Sequence, residues 1–404
     1  MNPSAAPSTE RERQVREALC READPQTRWL GFDRFMHWAL YHPTAGYYAA
    51  GGAQPDGPFG PAGDFVTATG LGPWLAGAVA RRFVSIAGQA RDPSLLKIRE
   101  YGAGNGALAA DVLTLLSAQG CLPQAYEIVE PSPAMRALQK GRLSQLPAPL
   151  ADRLSWYGGG QGEDTPMRGL ILANEVADAF PVKVFGWDSA DSTDSSAPEV
   201  WEWGLEVDPE GPLRWSRQPA REPLRSLVQA RQARQQAMGL GWAAGHRGEW
   251  APGLAPWARR LMRSLQWGAL LLIDYGYEQY ELDHPDRCGG TLAGHWRHRR
   301  IDDWEELLAR PGAQDLTAHV NFSEVAEAIT APEVALCLQT QAAWLLDQGV
   351  LEDARHRLFG AAGAGSPPQS LPALTALSGL QTLLSDGAMG QSFLVLTATR
   401  GLAV

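Results

Sequence analysis

The sequence predicts an α/β fold with a mostly parallel, doubly wound sheet. Short apolar strands alternate with helices from residue 96 onward, with strands at 96–101 and 125–130 each followed directly by a helical segment. A further apolar run at 169–173 has the length and composition of a buried strand. Strands that alternate with helices in this way indicate βαβ units and a parallel sheet.

The individual elements follow from local patterns. Residues 107–118 place apolar side chains on one helical face, and Ser132 followed by Pro133 is typical of a helix N-terminus. The sheet is expected to resume at 268–276 and to finish at 393–398, with a further strand in the 370s region. The front of the chain, up to about residue 88, has helical patterns without this strand–helix alternation.

Changes in composition predict four segments. They are an N-terminal helical region (1–90), a cofactor-binding core (91–187), an inserted subdomain on the substrate side (188–264) and the remainder of the sheet (265–404). The insertion begins in the acidic, low-complexity stretch 188–198, which favours a solvated loop.

Charge and cysteine content restrict the class of protein. The 404 residues carry a net charge of −10, which argues against a general nucleic-acid-binding protein. The four cysteines form no C-x-x-C pair, and no apolar run reaches the ~18 residues of a membrane span. We therefore expect a cytoplasmic protein that neither spans a membrane nor binds a metal.

A glycine-rich turn between the first strand and its helix is the strongest local signal. Gly102, Gly104 and Gly106 permit a tight turn and a close approach of a ligand to the backbone. The same residues also satisfy a loose dinucleotide fingerprint, and a glycine-rich loop without a ligand is a further alternative. Glu100 favours S-adenosylmethionine (SAM), because an acid there faces the cationic part of that cofactor and would repel a pyrophosphate. Glu130, after the second strand, is placed to accept the ribose hydroxyls.

Acidic residues also follow the apolar run at 169–173. Asn174 and Glu175 end that strand, where ligands of open α/β sheets bind, and Asp178 follows. A carboxylate pair can hold a guanidinium group by charge-assisted hydrogen bonds. Alternatively, the two acids begin a helix and interact with its dipole. Asp274 ends a later strand in the same way, and the basic run 295–300 is interpreted as a rim or solvated loop.

Several separated motifs together resemble the MidA-like family, whose mitochondrial members are arginine methyltransferases that assist assembly of respiratory complex I. The matching stretches span nearly the whole chain in order: residues 42–48, 63–67, 100–106, 174–181, 273–276, 290–292, 314–320 and 389–390.

The resemblance implies a class I methyltransferase core, Rossmann-like, with an N-terminal helical region and an insertion. It also implies that Asp64 and Thr67 lie in a loop near the cofactor. Two positions depart from the family pattern. Gly70 lies in a stretch where the family usually has a carboxylate, and Asn321 stands where the family usually has an aspartate.

The sequence thus predicts transfer of a methyl group from SAM to an arginine of a protein substrate. Glu175 is the predicted catalytic residue, supported by Asp178. The predicted cofactor residues are Asp64, Thr67, Glu100, Gly102, Gly104, Gly106, Glu130 and Asn174. The alternatives are a non-catalytic assembly factor on a methyltransferase fold and an NAD-dependent oxidoreductase, which Glu100 and the Asn174–Glu175 pair disfavour.

Overall fold

The computed structural model describes residues 10–50, 68–159, 164–188, 200–359, 371–386 and 389–403. The chain divides into two compact units, each built from three separate segments. Unit 1 comprises residues 1–51, 178–256 and 277–324, and unit 2 comprises 52–177, 257–276 and 325–404. The predicted segments are consecutive in sequence, whereas the chain passes between these units several times.

The α-helices of the described residues, in chain order, are α1 Glu10–Glu22, α2 Phe32–Tyr41, α3 Tyr47–Ala50, α4 Trp74–Gln89, α5 Ala107–Ala118, α6 Pro133–Leu143, α7 Ala148–Ala151, α8 Leu224–Ala237, α9 Leu254–Ser264, α10 Gln279–Leu282, α11 Trp304–Leu307, α12 Phe322–Ile329, α13 Gln341–Asp347, α14 Val350–Phe359, α15 Leu371–Leu384 and α16 Met389–Ser392. Short 3₁₀ turns occur at Ala68–Leu71, Pro93–Leu95 and Pro285–Arg287.

The β-strands are β1 Trp29–Gly31, β2 Lys97–Tyr101, β3 Ala125–Val129, β4 Leu154–Tyr157, β5 Met167–Asn174, β6 Lys183–Trp187, β7 Val200–Glu206, β8 Arg214–Pro219, β9 His246–Trp250, β10 Leu265–Tyr277, β11 Ala293–Trp296, β12 Arg299–Ile301, β13 Asp315–Thr317, β14 Val320–Asn321, β15 Val334–Thr340 and β16 Phe393–Arg400.

Unit 2 contains the predicted doubly wound sheet, with strand order β15-β16-β10-β5-β2-β3-β4. Strands β4, β3, β2, β5 and β10 run parallel to one another, and β16 lies antiparallel between β10 and β15. The chain moves outward from β2 through β3 and β4, then returns to the other side of β2 with β5. The strand order therefore reverses between β2 and β5, which is where open α/β sheets bind their ligands.

The central strands form because their side chains are buried on both faces of this sheet. Leu170, Ile171, Leu172 and Ala173 of β5 are 0% exposed, and the matching part of β10 is almost equally buried. Near-continuous apolar runs of this kind are typical of parallel strands covered by helices on both sides. The core of unit 2 therefore fixes the ends of β2, β5 and β10 in space.

Unit 1 has smaller antiparallel sheets. One follows the order β1-β7-β6-β9 with β8 paired to β7, and another has the order β12-β11-β13. The first sheet packs against α8 around a cluster that includes Phe185, Val228 and Trp242. Residues from the predicted insertion thus share this unit with N-terminal residues.

One predicted element is wrong. The 370s region is not a strand but part of α15, and the additional strand of the sheet is β15. The leucines at 374, 377, 380 and 383 recur every three residues, a spacing that favours a helix over a strand. Among the described residues, no helix is long and apolar enough to cross a membrane.

Candidate active site at the carboxyl ends of β2, β3 and β5

The glycine turn joins β2 to α5 in left-handed backbone conformations. The φ angles of Gly102, Gly104 and Gly106 are +62°, +53° and +82°. A Cβ atom on Gly102 would lie 2.8 Å from Cγ2 of Val176, so a side chain there would collide with the segment after β5. These positive φ angles explain why glycine occupies all three positions, since other residues adopt them only with strain.

Glu100 is the penultimate residue of β2 and is 2% exposed. Its Oε2 atom accepts a hydrogen bond of 2.8 Å from the hydroxyl of Tyr126 on β3. Burial raises the pKa of the Glu100 carboxyl to about 7, and the Tyr126 hydrogen bond opposes this shift. With this pKa the carboxyl is only partly ionised at neutral pH, and a nearby cation or further donors would favour its ionised form.

Glu130 follows β3 and is 7% exposed. Its Oε1 atom accepts the backbone N–H of Ser132 at 2.9 Å, and its Oε2 atom accepts Nε2 of Gln139 at 3.2 Å. Burial raises the pKa of the Glu130 carboxyl to about 7. The two hydrogen bonds hold the Glu130 carboxylate in one orientation before any ligand arrives.

Gln139 contacts two predicted site residues, and the sequence reasoning missed it. Its side chain is 0% exposed, and its Nε2 atom donates both to Glu130 and to the carbonyl oxygen of Gly104, at 2.9 Å. Its Oε1 atom accepts Nε1 of Trp156 at 3.2 Å. A single amide thus joins the glycine turn to the carboxylate predicted to bind the ribose.

A sequence signal for Gln139 did exist. The buried residues of α6 are Met135, Gln139 and Leu143, which are spaced four apart on one helical face. Polar side chains are seldom fully buried unless they form hydrogen bonds. A glutamine within an apolar helical stripe therefore indicates a specific buried partner, although its identity requires the fold.

Asn174 and Glu175 lie at the carboxyl end of β5, beside the point where the strand order reverses. Glu175 has a φ angle of +54°, which is uncommon for a residue with a side chain. Its Oε1 atom accepts Nδ2 of Asn174 at 3.1 Å and the backbone N–H of Ala68 at 3.2 Å. The Oδ1 atom of Asn174 is buried and has no hydrogen-bond partner among the described residues.

Asp274 at the end of β10 supports this corner. Its Oδ2 atom accepts the backbone N–H groups of Val176 and Ala177, at 3.1 and 2.8 Å, and its Oδ1 atom accepts that of Tyr275 at 2.9 Å. The side chain is 0% exposed. Asp274 therefore holds the segment that follows Glu175, rather than presenting a carboxylate to a substrate.

The remaining predicted site residues are placed differently. Asp178 is 7% exposed and belongs to unit 1, where its carbonyl oxygen accepts the backbone N–H of Ala318 at 3.0 Å. Residues 175–182 contain no helix, so the alternative that Glu175 and Asp178 begin one is wrong. Asp64 and Thr67 lie outside the described residues. No group of three or more His, Cys, Asp or Glu side chains among the described residues could hold a metal ion.

Residues 78–337 match the Methyltransf_28 family, which is described as an S-adenosyl-L-methionine-dependent methyltransferase. The chain belongs to this family. The resemblance inferred from the separated motifs is thereby confirmed, and so is the α/β methyltransferase fold.

A solved structure agrees with this assignment. The methyltransferase superimposes on a protein from Burkholderia thailandensis crystallised with S-adenosylhomocysteine, with a TM-score of 0.81 and 30% sequence identity. The comparison covers 99% of this chain and 96% of the other. The predicted cofactor, SAM, is confirmed by the family and by this neighbour.

Curated relatives include the mitochondrial protein arginine methyltransferase NDUFAF7. The rat protein is 26% identical over 89% of this chain and 78% of its own length. The human protein is 24% identical over 89% of this chain and 77% of its own length.

The residues of unit 2 fit SAM. The left-handed turn lets the cofactor approach the backbone, and Glu130 is oriented as an acceptor for ribose hydroxyls. Burial raises the pKa of Glu100, so a nearby cation would stabilise the ionised form of this carboxyl. The unpartnered Oδ1 atom of Asn174 supplies a further acceptor at the same edge of the sheet. The contact of each of these residues with SAM is a prediction.

Proposed function

We propose that this methyltransferase methylates a guanidinium nitrogen of an arginine in a protein substrate. The similarity to the NDUFAF7 proteins supports this substrate class, since their name states that activity. The observation that carries the proposal within this chain is the conformation of Glu175 at the carboxyl end of β5.

Glu175 combines an unusual backbone with an oriented carboxylate. A non-glycine residue in the left-handed region costs about 1–3 kcal/mol and persists only where the surrounding structure holds it. Here the backbone N–H of Glu175 donates to the carbonyl oxygen of Ile273 at 2.9 Å, while Ala68 and Asn174 hold Oε1. The strain and the fixed carboxylate are consistent with a functional acceptor rather than a surface acid.

A guanidinium group suits such an acceptor. It has five N–H donors and no acceptor, and it pairs with carboxylates through charge-assisted hydrogen bonds. When bound, SAM supplies a methyl group on a sulfonium sulfur, and its transfer to nitrogen leaves S-adenosylhomocysteine and releases one proton. The role of Glu175 is then to orient the guanidinium group and to balance its charge, and Asp178 is proposed to assist it.

The experiment that tests the substrate class is labelling with radioactive SAM. Lysate from cells that lack this protein is incubated with the purified enzyme, and labelled proteins are hydrolysed to identify the methylated amino acid. Methylarginine is the expected product. Label on another amino acid would contradict the arginine proposal while leaving the methyltransferase assignment intact.

Glu175→Gln tests the proposed acceptor, because it keeps the shape of the side chain and removes its charge. We expect methylation of the labelled substrate to fall at least ~10²-fold, the usual cost of losing a preorganised electrostatic contact. SAM affinity, measured by titration calorimetry, should remain nearly unchanged. Glu333→Gln is a matched control, because that side chain is 59% exposed.

Two outcomes would change the assignment. Full activity of Glu175→Gln would exclude it as the guanidinium acceptor, and Asp178→Asn would then be the variant to examine. A parent enzyme that binds SAM and labels nothing would favour the alternative of a non-catalytic assembly factor.

A further inference from the structure

One face of the five-stranded sheet in unit 1 carries tryptophan and arginine side chains close together. Trp201 and Trp203 are two residues apart on β7, and Arg217 of β8 is paired with Trp203 in the strand register. Cζ of Arg217 lies 4.2 Å from the centre of the Trp201 ring and 5.6 Å from that of the Trp203 ring. Residues two apart in a strand point to the same face of a sheet, so these side chains form one row.

The row continues to Arg247 of β9 and Trp304 of α11. Cζ of Arg247 lies 4.0 Å from the centre of the Trp304 ring and 5.5 Å from that of the Trp203 ring. The carbonyl oxygen of Trp304 accepts Nε1 of Trp215 at 2.7 Å, which ties α11 to β8. The backbone N–H of Arg247 donates to the carbonyl oxygen of Cys288 at 2.9 Å. Both residues are therefore fixed through their backbones, with the guanidinium group lying over the indole ring.

The two arginines differ in what their guanidinium groups contact. Nη1 of Arg217 donates to Oδ2 of Asp188 at 3.0 Å, and the two side chains are 40% and 33% exposed. Arg247 is half-buried, and its guanidinium group has no hydrogen bond or carboxylate partner in the part of the chain that the structure describes. Removing a cation from water is unfavourable unless an anion compensates for it. Arg247 is therefore suited to bind a further anion.

A guanidinium group that lies over an aromatic ring keeps its donors available. Its five N–H groups lie in one plane, whereas the ring covers a face of that plane. The cation–π contact also holds the side chain in place before a ligand binds. The pair of Arg217 and Asp188 shows the result within this chain, because the guanidinium over Trp201 also binds a carboxylate.

The covered ring faces favour an acidic protein segment over a nucleic acid as the ligand. Single-stranded nucleic acids bind by stacking bases on aromatic rings, but guanidinium groups already cover a face of Trp201 and of Trp304. Repulsion by a chain with a net charge of −10 grows with the number of negative charges on a ligand, so it opposes a polyanion more than a few carboxylates. Tryptophan and arginine are also enriched among the residues that dominate protein–protein binding.

We propose that Arg247, together with Trp203, Trp304 and Arg217, binds a carboxylate side chain in an acidic segment of the protein substrate. The identity of the partner as the substrate rests on the proposed function, whereas the binding of carboxylates does not. An arginine that is to be methylated is a cation, so this row recognises a different part of the substrate.

The first test measures binding of a fluorescent hexaglutamate peptide to the full chain by anisotropy at low ionic strength. Arg247→Gln removes the charge and the planar group, so the dissociation constant should rise at least ~10-fold. Asp188→Asn releases Arg217 and removes a competing carboxylate, so the dissociation constant should fall by about two-fold or more. Arg214→Gln is the matched control, because it makes the same charge change at an exposed arginine of β8.

The outcomes identify the ligand and the contribution of the planar group. Arg247→Lys keeps the charge without the planar fork, so its affinity should lie between those of Arg247→Gln and the parent, and it replaces Arg247→Gln if that variant does not fold. A parent that does not bind hexaglutamate would overturn the proposal, as would an Arg247→Gln variant that binds it as tightly as the parent. Binding of oligouridylate or of phosphatidylserine vesicles in place of the peptide would also overturn it.

The second test uses the protein that is labelled in the SAM experiment. Arg247→Gln should raise the KM for that protein at least ~10-fold with little change in kcat or in SAM affinity, because the contact is made equally in the ground state and the transition state. An unchanged KM would contradict a role in substrate docking. Label on an amino acid other than arginine would contradict the proposed function without altering the hexaglutamate result, and a failure to bind hexaglutamate would leave methylarginine formation intact.

Discussion

The two carboxyl groups predicted to contact the cofactor, those of Glu100 and Glu130, are buried before any ligand binds. Burial raises the pKa of Glu100 and of Glu130 to about 7. A carboxyl whose pKa is raised on folding holds its proton in the folded state where the unfolded chain has lost it. The folded protein alone therefore loses stability as the pH rises from the unfolded pKa towards 7, and the loss is complete above that value.

SAM binding should be coupled to these protons. Ribose hydroxyls and a cationic group favour the ionised carboxylates, so binding near neutral pH should release protons and become tighter as the pH rises from about 6 to about 8. Calorimetry in buffers of different ionisation enthalpy measures the number released. Glu130→Gln should reduce the proton release and weaken binding.

An affinity that is independent of pH would contradict this coupling. If the parent and Glu130→Gln release the same number of protons, the titrating group is Glu100 or lies elsewhere. Glu333→Gln serves again as the control, since its exposed carboxyl should leave both quantities unchanged.

At the scale of elements, helix α6 connects two parts of the predicted cofactor site, the glycine turn and Glu130. It begins at Pro133 with the Ser132 side chain accepting the backbone N–H of Met135, which fixes its N-terminus directly after Glu130. Six residues after Pro133, Gln139 reaches the carbonyl oxygen of Gly104. The helix thus holds the glycine turn and Glu130 in a fixed relation.

Gln139→Leu tests this connection. Leucine has a similar volume and suits the apolar face of α6, so the variant should fold, but Glu130 and Gly104 lose their shared donor. We expect SAM affinity to fall at least ~10-fold, because charge-assisted hydrogen bonds contribute about 1.5–3 kcal/mol. Titration calorimetry measures the affinity, and thermal unfolding without SAM reports on the fold.

The outcomes distinguish a positioning role from a structural one. Met135→Leu, on the same face of α6, is the matched control and should bind SAM normally. If Gln139→Leu binds SAM as tightly as the parent, the amide is only a packing residue. A SAM affinity of Gln139→Asn between those of Gln139→Leu and the parent would support the hydrogen-bond role.

At the scale of the whole molecule, sequence continuity and structural units differ. The sheet of unit 2 takes β2 to β5 from one segment, β10 from a second, and β15 and β16 from a third. Because β5 pairs with both β2 and β10, its buried side chains depend on residues about a hundred positions later. The strand that carries Asn174 is therefore buried only when distant segments have assembled.

A fragment of residues 91–187, the segment predicted to be the cofactor-binding core, should not fold alone. It lacks β10 and β16, so the apolar residues of β5 would lose one neighbouring strand and become exposed. We expect circular dichroism to show no cooperative thermal transition and calorimetry to show no SAM binding. A cooperative transition with SAM binding would contradict this dependence on the later strands.

The sequence by itself determined the features that depend on neighbouring residues. The strand–turn–helix unit around Gly102, the helix start at Ser132 and the buried strands follow from local spacing, and these patterns also identified Glu100 and Glu130 as cofactor candidates. Local patterns succeed here because torsional preference, capping and apolar periodicity act over a few residues.

Only the tertiary structure decided what each polar side chain contacts. It showed that Gln139 joins Glu130 to the glycine turn, that Asp274 holds the segment after Glu175, and that Glu175 has a left-handed backbone instead of starting a helix. It also placed β15 at the edge of the sheet. These features arise from contacts between residues far apart in the chain, and such contacts are fixed by how the strands pair and the helices pack rather than by the local sequence.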